Sequence, residues 1–381
     1  MKDTPALGKM LDDPVERGVE LGTRSRPRSS IPAAPAVGMA GLTSEPLIFR
    51  TSEAFVRSSW LLSAMAVLTL VQRPAPVAAQ ATHLNPVVDL LAAGKPVFGL
   101  YAPANRRARP GGPPLPADST KTQAQLAQEA LAFTRADYIF DGTMEYNFDS
   151  SYPVFRDFAS AITAGALQKG PPARLSHPVF VKTPEIAPDP AVAAQRIAKQ
   201  LNEGVSGIVF VDVLTAAELK QGIAAMRFKS KGGTRPDDVG DAPARWGLSA
   251  AAYREKADVA SLNPKGELVT FTIVESKEGL ANVREIAQVP GVGVLFPGAG
   301  TLRGVFTTTE NGQRKFDEAA WEAAIQSVLS ACKEFKIPCG YPAGAADIEK
   351  RMQQGFSVFV IGWGDQGFKA VDLGRAAGHR E

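Results

Sequence analysis

The chain has 381 residues, of which 45% are hydrophobic and 21% are charged, so it has room for one large α/β domain and extensions. This composition excludes a fibrous or a fully disordered protein. The 42 basic and 39 acidic residues nearly cancel, and no basic stripe interleaved with aromatic residues follows the body of the chain. The charge pattern therefore argues against a nucleic-acid partner.

The N-terminal extension, residues 1–55, is rich in Pro, Arg, Ser and Ala and has no sustained apolar period. Such a segment cannot bury enough apolar surface to fold by itself. We therefore predict that it is disordered or absent from the mature protein.

Residues 56–81 have the three parts of a secretory signal peptide. Arg57 gives a basic flank, an uncharged apolar run covers 60–71, and small residues occupy Val77 and Ala79. The apolar run is too short for a comfortable membrane span. We predict export, and hence a periplasmic or secreted body over 82–381.

The signal begins far into the chain, which allows two interpretations. A start codon assigned too early, with the native start near Met39 or around Val56, makes the signal N-terminal. The alternative is an uncleaved anchor behind a cytosolic tail, the one contact with a membrane that the sequence indicates. Both interpretations place the body outside the cytoplasm.

From residue 82 onward the chain alternates apolar runs typical of strands with amphipathic segments of helical period. The strand-like runs span 96–100, 138–140, 179–182, 207–213, 269–274, 293–296, 337–341 and 357–361. The helical segments span 191–201, 216–226, 280–287, 318–335 and 345–354. Eight βα repeats predict an α/β protein with a (β/α)8 TIM barrel, and a doubly wound open sheet is the alternative.

Two segments interrupt the alternation, 102–117 after the first strand and 229–244 after the fourth. Both are rich in Pro and Gly, which predicts long loops. Loops that follow barrel strands lie on the catalytic face and carry binding or lid functions.

Residues 271–304 contain two strands that each end in a chemical feature. The first ends at Glu275 and the second in the glycine turn 298–300. Asp212, at the end of the fourth strand, points to the same rim as Glu275 if the strand register holds. Since barrel active sites form at the carboxyl ends of strands, these residues predict a site.

The two cysteines, Cys332 and Cys339, lack the spacing of a zinc site. One falls on a predicted helix and the other at the start of the next strand. A disulfide in an oxidising compartment and two separate buried thiols are both open, and separate thiols are the simpler interpretation.

The body also resembles a known family in the order of its segments. These are GKPVFGLYAP, ADYIFDGTMEYN, HPVFVKT, SGIVFVDVLTAAEL, TIVESKEGL, GVGVLFPGAGTLRG, FKIPCGYPAG and GFSVFVIGWGDQG. In this order they resemble the HpcH/HpaI aldolase and citrate lyase-like family over about residues 85–377 of this chain.

The resemblance implies a barrel of the pyruvate-type aldolase class that cleaves or forms carbon–carbon bonds beside an enolate. It implies a divalent metal, such as Mg²⁺, Mn²⁺ or Co²⁺, held by a Glu and an Asp, with a His in proton transfer and an Arg steering the oxygens. Glu275 matches the metal-binding Glu. Gly298, Ala299 and Gly300 match the turn whose amides bind the substrate carboxylate.

Three positions depart from this pattern. Gly300 stands where the second metal ligand is expected, and Lys182 stands where the Arg is expected. The family His falls near Glu145 and Tyr146. His177 precedes the third strand on the opposite side of the barrel, which predicts a structural or surface role.

Replacements for the missing groups come from the same rim. Asp212, with Glu145 or Asp141, is expected to rebuild a metal site or to supply a general base. Lys182 is expected to act as a cation for a carboxylate, with a Schiff-base nucleophile as the alternative. Arg235 resembles a loop arginine of the family and is expected either to reach the pocket or to be solvated.

The resemblance further implies a homo-oligomer assembled through the last helix, 368–377. Two functions follow. The first is a carbon–carbon lyase acting on a small 2-oxo acid or related carboxylate through an enolate, with metal assistance. The second is a non-catalytic secreted barrel that binds a small carboxylate or serves as a subunit of an assembly.

Overall fold

The computed structural model describes residues 83–105, 120–168, 174–187 and 189–380. The predicted extension over 1–55 and the predicted signal peptide over 56–81 lie outside these residues. None of the helices in the described ranges combines the length and the apolar character that crossing a bilayer requires.

Eight parallel strands form one sheet. They are β1 (Val97–Tyr101), β2 (Tyr138–Asp141), β3 (Val179–Lys182), β4 (Gly207–Phe210), β5 (Val269–Val274), β6 (Val294–Pro297), β7 (Gly340–Ala343) and β8 (Val358–Ile361). The hydrogen-bonded order is β7, β8, β1, β2, β3, β4, β5, β6. A parallel bridge between Leu295 and Cys339 brings the two edge strands together. The sheet is therefore a nearly closed TIM barrel, as predicted.

Helices lie around the outside of the barrel, and the first helix, Pro86–Ala92, lies across its base. They are α1 (Pro86–Ala92), α2 (Gln123–Ala132), α3 (Phe148–Ala166), α4 (Pro190–Asn202), α5 (Ala216–Met226), α6 (Ala242–Arg245), α7 (Ala250–Lys256), α8 (Lys277–Ala281), α9 (Val283–Ala287), α10 (Ala299–Val305), α11 (Glu318–Phe335), α12 (Ile348–Gln354) and α13 (Asp365–Ala377). Two short antiparallel ribbons of two strands each lie outside the barrel sheet. One pairs Leu167–Gln168 with Arg174–Leu175, and the other pairs Thr307–Glu310 with Gln313–Phe316.

Helix starts follow from local capping. Thr122 forms a capping box with Gln125 at α2, Asp189 caps α4 just before Pro190, and Thr215 caps α5. Each cap satisfies an amide that has no partner within the helix. These sequence signals place the helices between the strands.

The core has two parts because strand side chains alternate between the barrel interior and the helices. The interior is rich in aromatic rings. Phe180 and Phe271 lie 4.8 Å apart between ring centroids, and Phe271 and Phe296 lie 5.0 Å apart. Glycines make the room, since a Cβ at Gly99 would lie 2.1 Å from the ring of Tyr138.

Some predicted elements differ from the structure in detail. The segment predicted as one helix over 280–287 is two short helices, α8 and α9, separated at Asn282, whose amide donates to the Leu214 carbonyl at 2.8 Å. The seventh strand begins at Gly340 rather than 337, because Lys336 ends α11 in a left-handed conformation with φ 56°.

The prediction of two separate thiols is wrong in this structure. Cys332 and Cys339 form a disulfide with a Cα–Cα distance of 5.6 Å. It joins the last turn of α11 to the residue before β7, close to the place where the edge strands β6 and β7 meet. Linear spacing did not show that the chain folds back between the two residues.

Candidate active site

The carboxyl ends of the strands surround a cavity of about 610 Å³, including its open mouth. Side chains of the barrel interior form its floor, among them Phe140, Phe271 and Phe296. Lys182, Glu275 and the 298–301 turn form part of its polar wall. The structure thus brings together residues that the sequence analysis assigned to different strands.

Lys182 is the last residue of β3, and its ammonium donates to the Glu145 carboxylate at 2.8 Å. The two side chains are only 14% and 10% exposed, so the ion pair is largely shielded from solvent. The Gln200 amide donates to the Lys182 carbonyl at 2.9 Å, which holds the end of the strand. This pairing favours the role of cation over that of Schiff-base nucleophile.

Glu275 follows β5 directly and is 6% exposed. Its carboxylate accepts the backbone N–H of Asp212 at 3.1 Å and interacts with the Thr301 hydroxyl. Burial raises the pKa of Glu275 above its ordinary value, and the Thr301 hydrogen bond and the Lys182 ammonium offset part of this rise. An added positive charge nearby would favour the ionised form.

Asp212 lies where the chain bends after β4. Its φ is 41°, a left-handed conformation that Asp tolerates better than most residues. The bend ends the predicted strand at Phe210, although the Val213 N–H still donates to the Ile273 carbonyl at 3.1 Å. The Oδ1 atom of Asp212 is buried and has no hydrogen-bond partner among the described residues.

Asp212 and Glu275 also line a second cavity of about 740 Å³ at the rim. Glu145, Tyr146 and Glu185 line it too. Burial raises the pKa of Glu185, and the neighbouring carboxylates of Asp212 and Glu275 add to the effect. Carboxylates are therefore crowded on this side of the rim.

Tyr146 is 81% exposed at the edge of this second cavity. Partial desolvation and the adjacent Glu145 carboxylate raise the pKa of Tyr146 to about 12. Its phenol therefore keeps its proton at neutral pH and is a hydrogen-bond donor to Glu145 or to a bound molecule.

The rim carboxylates are the candidate ligands for a divalent metal. No group of three His, Cys, Asp or Glu side chains within the described ranges is arranged to hold a metal ion. Mg²⁺ commonly uses one or two protein carboxylates and completes its shell with water and substrate. Glu275 and Asp212, the latter with its unpartnered buried oxygen, fit such a two-carboxylate site.

The 298–300 turn packs directly against Glu275. A Cβ at Gly298 would lie 2.4 Å from the Glu275 Oε2 atom, so this close approach requires glycine. The Trp321 indole donates to the Ala299 carbonyl at 2.8 Å and fixes the turn. A Cβ at Gly300 would meet nothing within 4 Å, so space remains where the resemblance implies a second ligand.

Comparison with known proteins identifies the family to which this fold belongs. The HpcH/HpaI aldolase/citrate lyase family model matches residues 168–366, more than half of the chain. The chain belongs to this family. The family comprises aldolases and citrate lyases, which are carbon–carbon lyases.

A curated relative is the hydroxypyruvate/pyruvate aldolase of Paraburkholderia phytofirmans, 24% identical over 281 residues that cover 74% of this chain and 92% of that protein. An HpcH/HpaI family protein of Burkholderia cenocepacia matches with a TM-score of 0.55 and 19% identity, covering 77% of this chain and 96% of that one. The HpcH/HpaI aldolase of Desulfitobacterium hafniense matches with a TM-score of 0.51 and 14% identity, covering 76% and 94%. These structures share the fold.

Three side chains of the site were not predicted. Tyr101, at the end of β1, lines the first cavity, and its ring packs edge-on against Phe140 at 4.8 Å. Burial raises the pKa of Tyr101 above its ordinary value. Thr301 and Glu185 complete the set. The sequence signal that could have identified them is their position shortly after predicted strands. Many residues without a role in the site have the same position, so this signal is not specific.

The expectation that Arg235 reaches the pocket or is solvated is contradicted by the structure. Its side chain is 1% exposed and lines neither cavity. It donates to Asn202 at 3.0 Å and to the Tyr253 hydroxyl at 3.2 Å, and it lies over the Phe228 ring at 4.4 Å. The loop folds back onto α4 and α7, which makes Arg235 a packing residue.

Two further residues lie apart from both cavities. Asp141 accepts the backbone N–H and the hydroxyl of Thr143 at 2.8 and 2.6 Å, so its carboxylate closes its own turn. His177 is buried and contacts the Phe133 carbonyl at 3.1 Å and the Ser176 hydroxyl at 2.8 Å. Asp141 is thus not placed to join Glu275, and His177 has the structural surroundings expected.

Proposed function

We propose that the protein is a carbon–carbon lyase that cleaves the aldol adduct of a small 2-oxo acid through an enolate. The observation that carries this proposal is the convergence of Lys182, Glu275 and the 298–301 turn around one cavity at the carboxyl ends of the strands. This is where barrel enzymes bind their substrates.

The substrate carboxylate would bind at the 298–301 turn. The first amides of a helix have no acceptor within the helix, and the close contact between Gly298 and Glu275 keeps the turn in place. Lys182, which lines the same cavity at the end of β3, would supply positive charge toward the carbonyl oxygen, where negative charge develops as the enolate forms.

Proton transfer is assigned to Glu145. Its side chain is 10% exposed and lines the second cavity. Its position in the sequence is close to the one where the family resemblance implies a histidine. Lys182, at 2.8 Å, orients it. Glu145 would accept the proton of the substrate hydroxyl as the carbon–carbon bond breaks, and the phenol of Tyr101 offers a proton donor across the first cavity.

A divalent cation would be held by Glu275 and Asp212. When bound, such a cation stabilises negative charge on the enolate oxygen. The Asp212 N–H bond to Glu275 at 3.1 Å couples the two residues, so both carboxylates are positioned by one bend of the chain.

A retro-aldol assay with pyruvate detection tests the proposal. It is run with Mg²⁺, Mn²⁺ or Co²⁺ and after chelation. We expect Glu275→Gln to lower kcat/KM by about a hundredfold, the scale of one lost electrostatic contact in a transition state. Glu278→Gln is the matched control, since this exposed residue lies three positions further along the chain. Equal rates for Glu275→Gln and the unsubstituted protein would remove Glu275 from the mechanism.

A non-catalytic carboxylate-binding barrel is the second candidate. Gly300, where the resemblance expects a metal ligand, and the absence of a histidine among the residues lining either cavity favour it. In that case pyruvate would bind, detected by calorimetry, and binding would be lost in Lys182→Ala, while no adduct would be cleaved under any metal condition.

We also propose that the protein is exported and that its body works in an oxidising compartment. The disulfide between Cys332 and Cys339 supports this, because disulfides persist in such compartments. Mass spectrometry of the exported protein should find a new N-terminus near Gln80 or Thr82. Recovery of the intact N-terminus from the cytosol would overturn this proposal.

A further inference from the structure

The indole of Trp321 links helix α11 to the turn that borders Glu275. Its N–H donates to the Ala299 carbonyl at 2.8 Å. Trp321 itself lines neither of the two cavities that the described residues form at the rim. Because a peptide group is planar, a hydrogen bond to the Ala299 carbonyl also restrains the amide of the next residue, and with it the middle of the 298–301 turn.

Two residues of this turn, Gly298 and Thr301, contact the Glu275 carboxylate. The Thr301 hydroxyl hydrogen-bonds to it. Gly298 approaches so closely that a Cβ there would lie 2.4 Å from the Glu275 Oε2 atom. The orientation of the carboxylate is therefore set by the turn together with the Asp212 N–H, which donates to it at 3.1 Å. A shift of the turn would change the direction in which Glu275 points.

Trp321 is restrained at the start of α11. Asp317 caps this helix, since its carboxylate accepts the Ala320 N–H at 2.9 Å and its carbonyl accepts the backbone N–H of Trp321 at 3.0 Å. The indole packs edge-on against Phe316 with 5.8 Å between ring centroids, and the Arg351 guanidinium lies 5.9 Å from the centre of the indole. A donor on a restrained ring loses little side-chain entropy when its hydrogen bond forms.

We propose that Trp321 is a positioning residue that acts through the 298–301 turn and keeps Glu275 in the orientation in which this carboxylate binds the divalent cation. This inference rests on the proposed function, in which Glu275 and Asp212 hold that cation. It adds to the site a residue of α11 to which the sequence analysis assigned no role. Groups that orient metal ligands typically contribute about tenfold to a hundredfold in metal affinity or activity.

Trp321→Phe tests the proposal, because it removes the indole donor and keeps an aromatic ring at the position. We expect the dissociation constant for Mn²⁺, measured by calorimetry on the full chain, to rise by about tenfold, since Glu275 is then oriented less well. The retro-aldol rate at limiting Mn²⁺ should fall by a similar factor.

Trp246→Phe is the matched control. The Trp246 indole also donates to a backbone carbonyl at 2.8 Å, that of Gly204, and its side chain is fully buried. It lines neither of the cavities formed by the described residues. Losing this buried hydrogen bond should lower Tm at least as much as Trp321→Phe does, while the dissociation constant for Mn²⁺ stays unchanged.

A double-mutant cycle with Thr301→Val separates action through the turn from a general loss of stability. Thr301→Val removes the hydroxyl that hydrogen-bonds to Glu275. If Trp321 acts through the turn, Trp321→Phe should raise the Mn²⁺ dissociation constant much less in the Thr301→Val background than in the unsubstituted protein. Equal fold-changes in the two backgrounds would show that Trp321 acts by another route, and this result would overturn the proposal.

The measurements distinguish a failure of this proposal from a failure of the lyase function. If no adduct is cleaved with any metal, the lyase function is contradicted, and the Mn²⁺ dissociation constants still decide whether Trp321 positions Glu275. If the unsubstituted protein is active and Trp321→Phe binds Mn²⁺ equally tightly, the lyase function stands and the positioning role is overturned. An equal rise of the dissociation constant in Trp246→Phe also overturns the positioning role, and so does a lack of Mn²⁺ binding by the unsubstituted protein.

Discussion

The two ends of strand β5 each carry a buried glutamate, and their surroundings differ. Glu267, two residues before the strand, is fully buried at the base of the barrel. It accepts the backbone N–H groups of Leu84 and Asn85 at 3.0 and 2.9 Å and the ammonium of Lys256 at 3.1 Å. Glu275, after the strand, faces a cavity.

The two carboxylates differ in how fully the protein satisfies their hydrogen-bonding capacity. At the base, partners surround Glu267 and tie the segment before α1 to the barrel, so the charge is used within the protein. At the rim, Glu275 has the Asp212 N–H and the Thr301 hydroxyl and still borders open space. A buried carboxylate with capacity left for a ligand is a candidate for function, whereas a satisfied one contributes to stability.

The largest effect is expected when the glutamate at each end of β5 is replaced by alanine. We expect Glu267→Ala to lower the free energy of unfolding by about 3–5 kcal/mol, because buried N–H groups lose a charged acceptor. Glu275→Ala should change it by less than about 1 kcal/mol while abolishing activity. Urea unfolding measures both variants. Similar losses of stability would remove the distinction between the two ends.

The disulfide extends the test to another element at the base. Replacing both cysteines, Cys332→Ala with Cys339→Ala, should lower the free energy of unfolding by about 2–3 kcal/mol, since the bond closes a short loop. The retro-aldol rate of the folded variant should not change. A folded variant with lost activity would mean that the base of the barrel also shapes the site.

Gly300→Asp tests the metal site proposed beside Glu275 at the rim. The position has free space for a side chain, and a carboxylate there would add a ligand beside Glu275. We expect the dissociation constant for Mn²⁺, measured by calorimetry, to fall by about tenfold, because affinity follows the number of charged ligands. Gly304→Asp, which also meets open space one turn along α10, is the control. Equal affinities in the two variants would contradict the proposed placement of the metal.

The smallest expected effect is on the pH dependence of stability. Burial raises the pKa of Glu275 above 4.5, so the folded protein binds this proton more tightly than the unfolded chain. The resulting stabilisation is complete below pH 4.5 and is lost as the pH rises through the raised pKa. Metal-free Glu275→Gln, which stays neutral, should therefore gain in Tm relative to the unsubstituted protein as the pH rises. A constant difference between the two would contradict the raised pKa.

Sequence periodicity predicted every strand of the barrel, because a buried parallel strand is a continuous apolar run between helices. Its errors came at ends. The strand expected to continue to Val213 ends at Phe210, where Asp212 adopts a left-handed conformation. Only contacts with β5 show that this bend is stable.

For the site, the sequence analysis placed Glu275, Asp212, Lys182 and the 298–300 turn at strand ends, and the structure brings them around adjoining cavities. It did not separate Arg235 from them, since a loop arginine looks the same in sequence whether it reaches a pocket or packs on Phe228. Nor did it find Tyr101, because an aromatic residue at a strand end is usually core.

The sequence by itself determined the repeating βα order, and with it the face on which chemistry is placed, because both follow from local periodicity and strand direction. The tertiary structure alone decided which carboxylates are satisfied, which cysteines meet and which side chains line the cavity. These depend on distances between residues far apart in the chain, such as the 63 positions that separate Asp212 from Glu275.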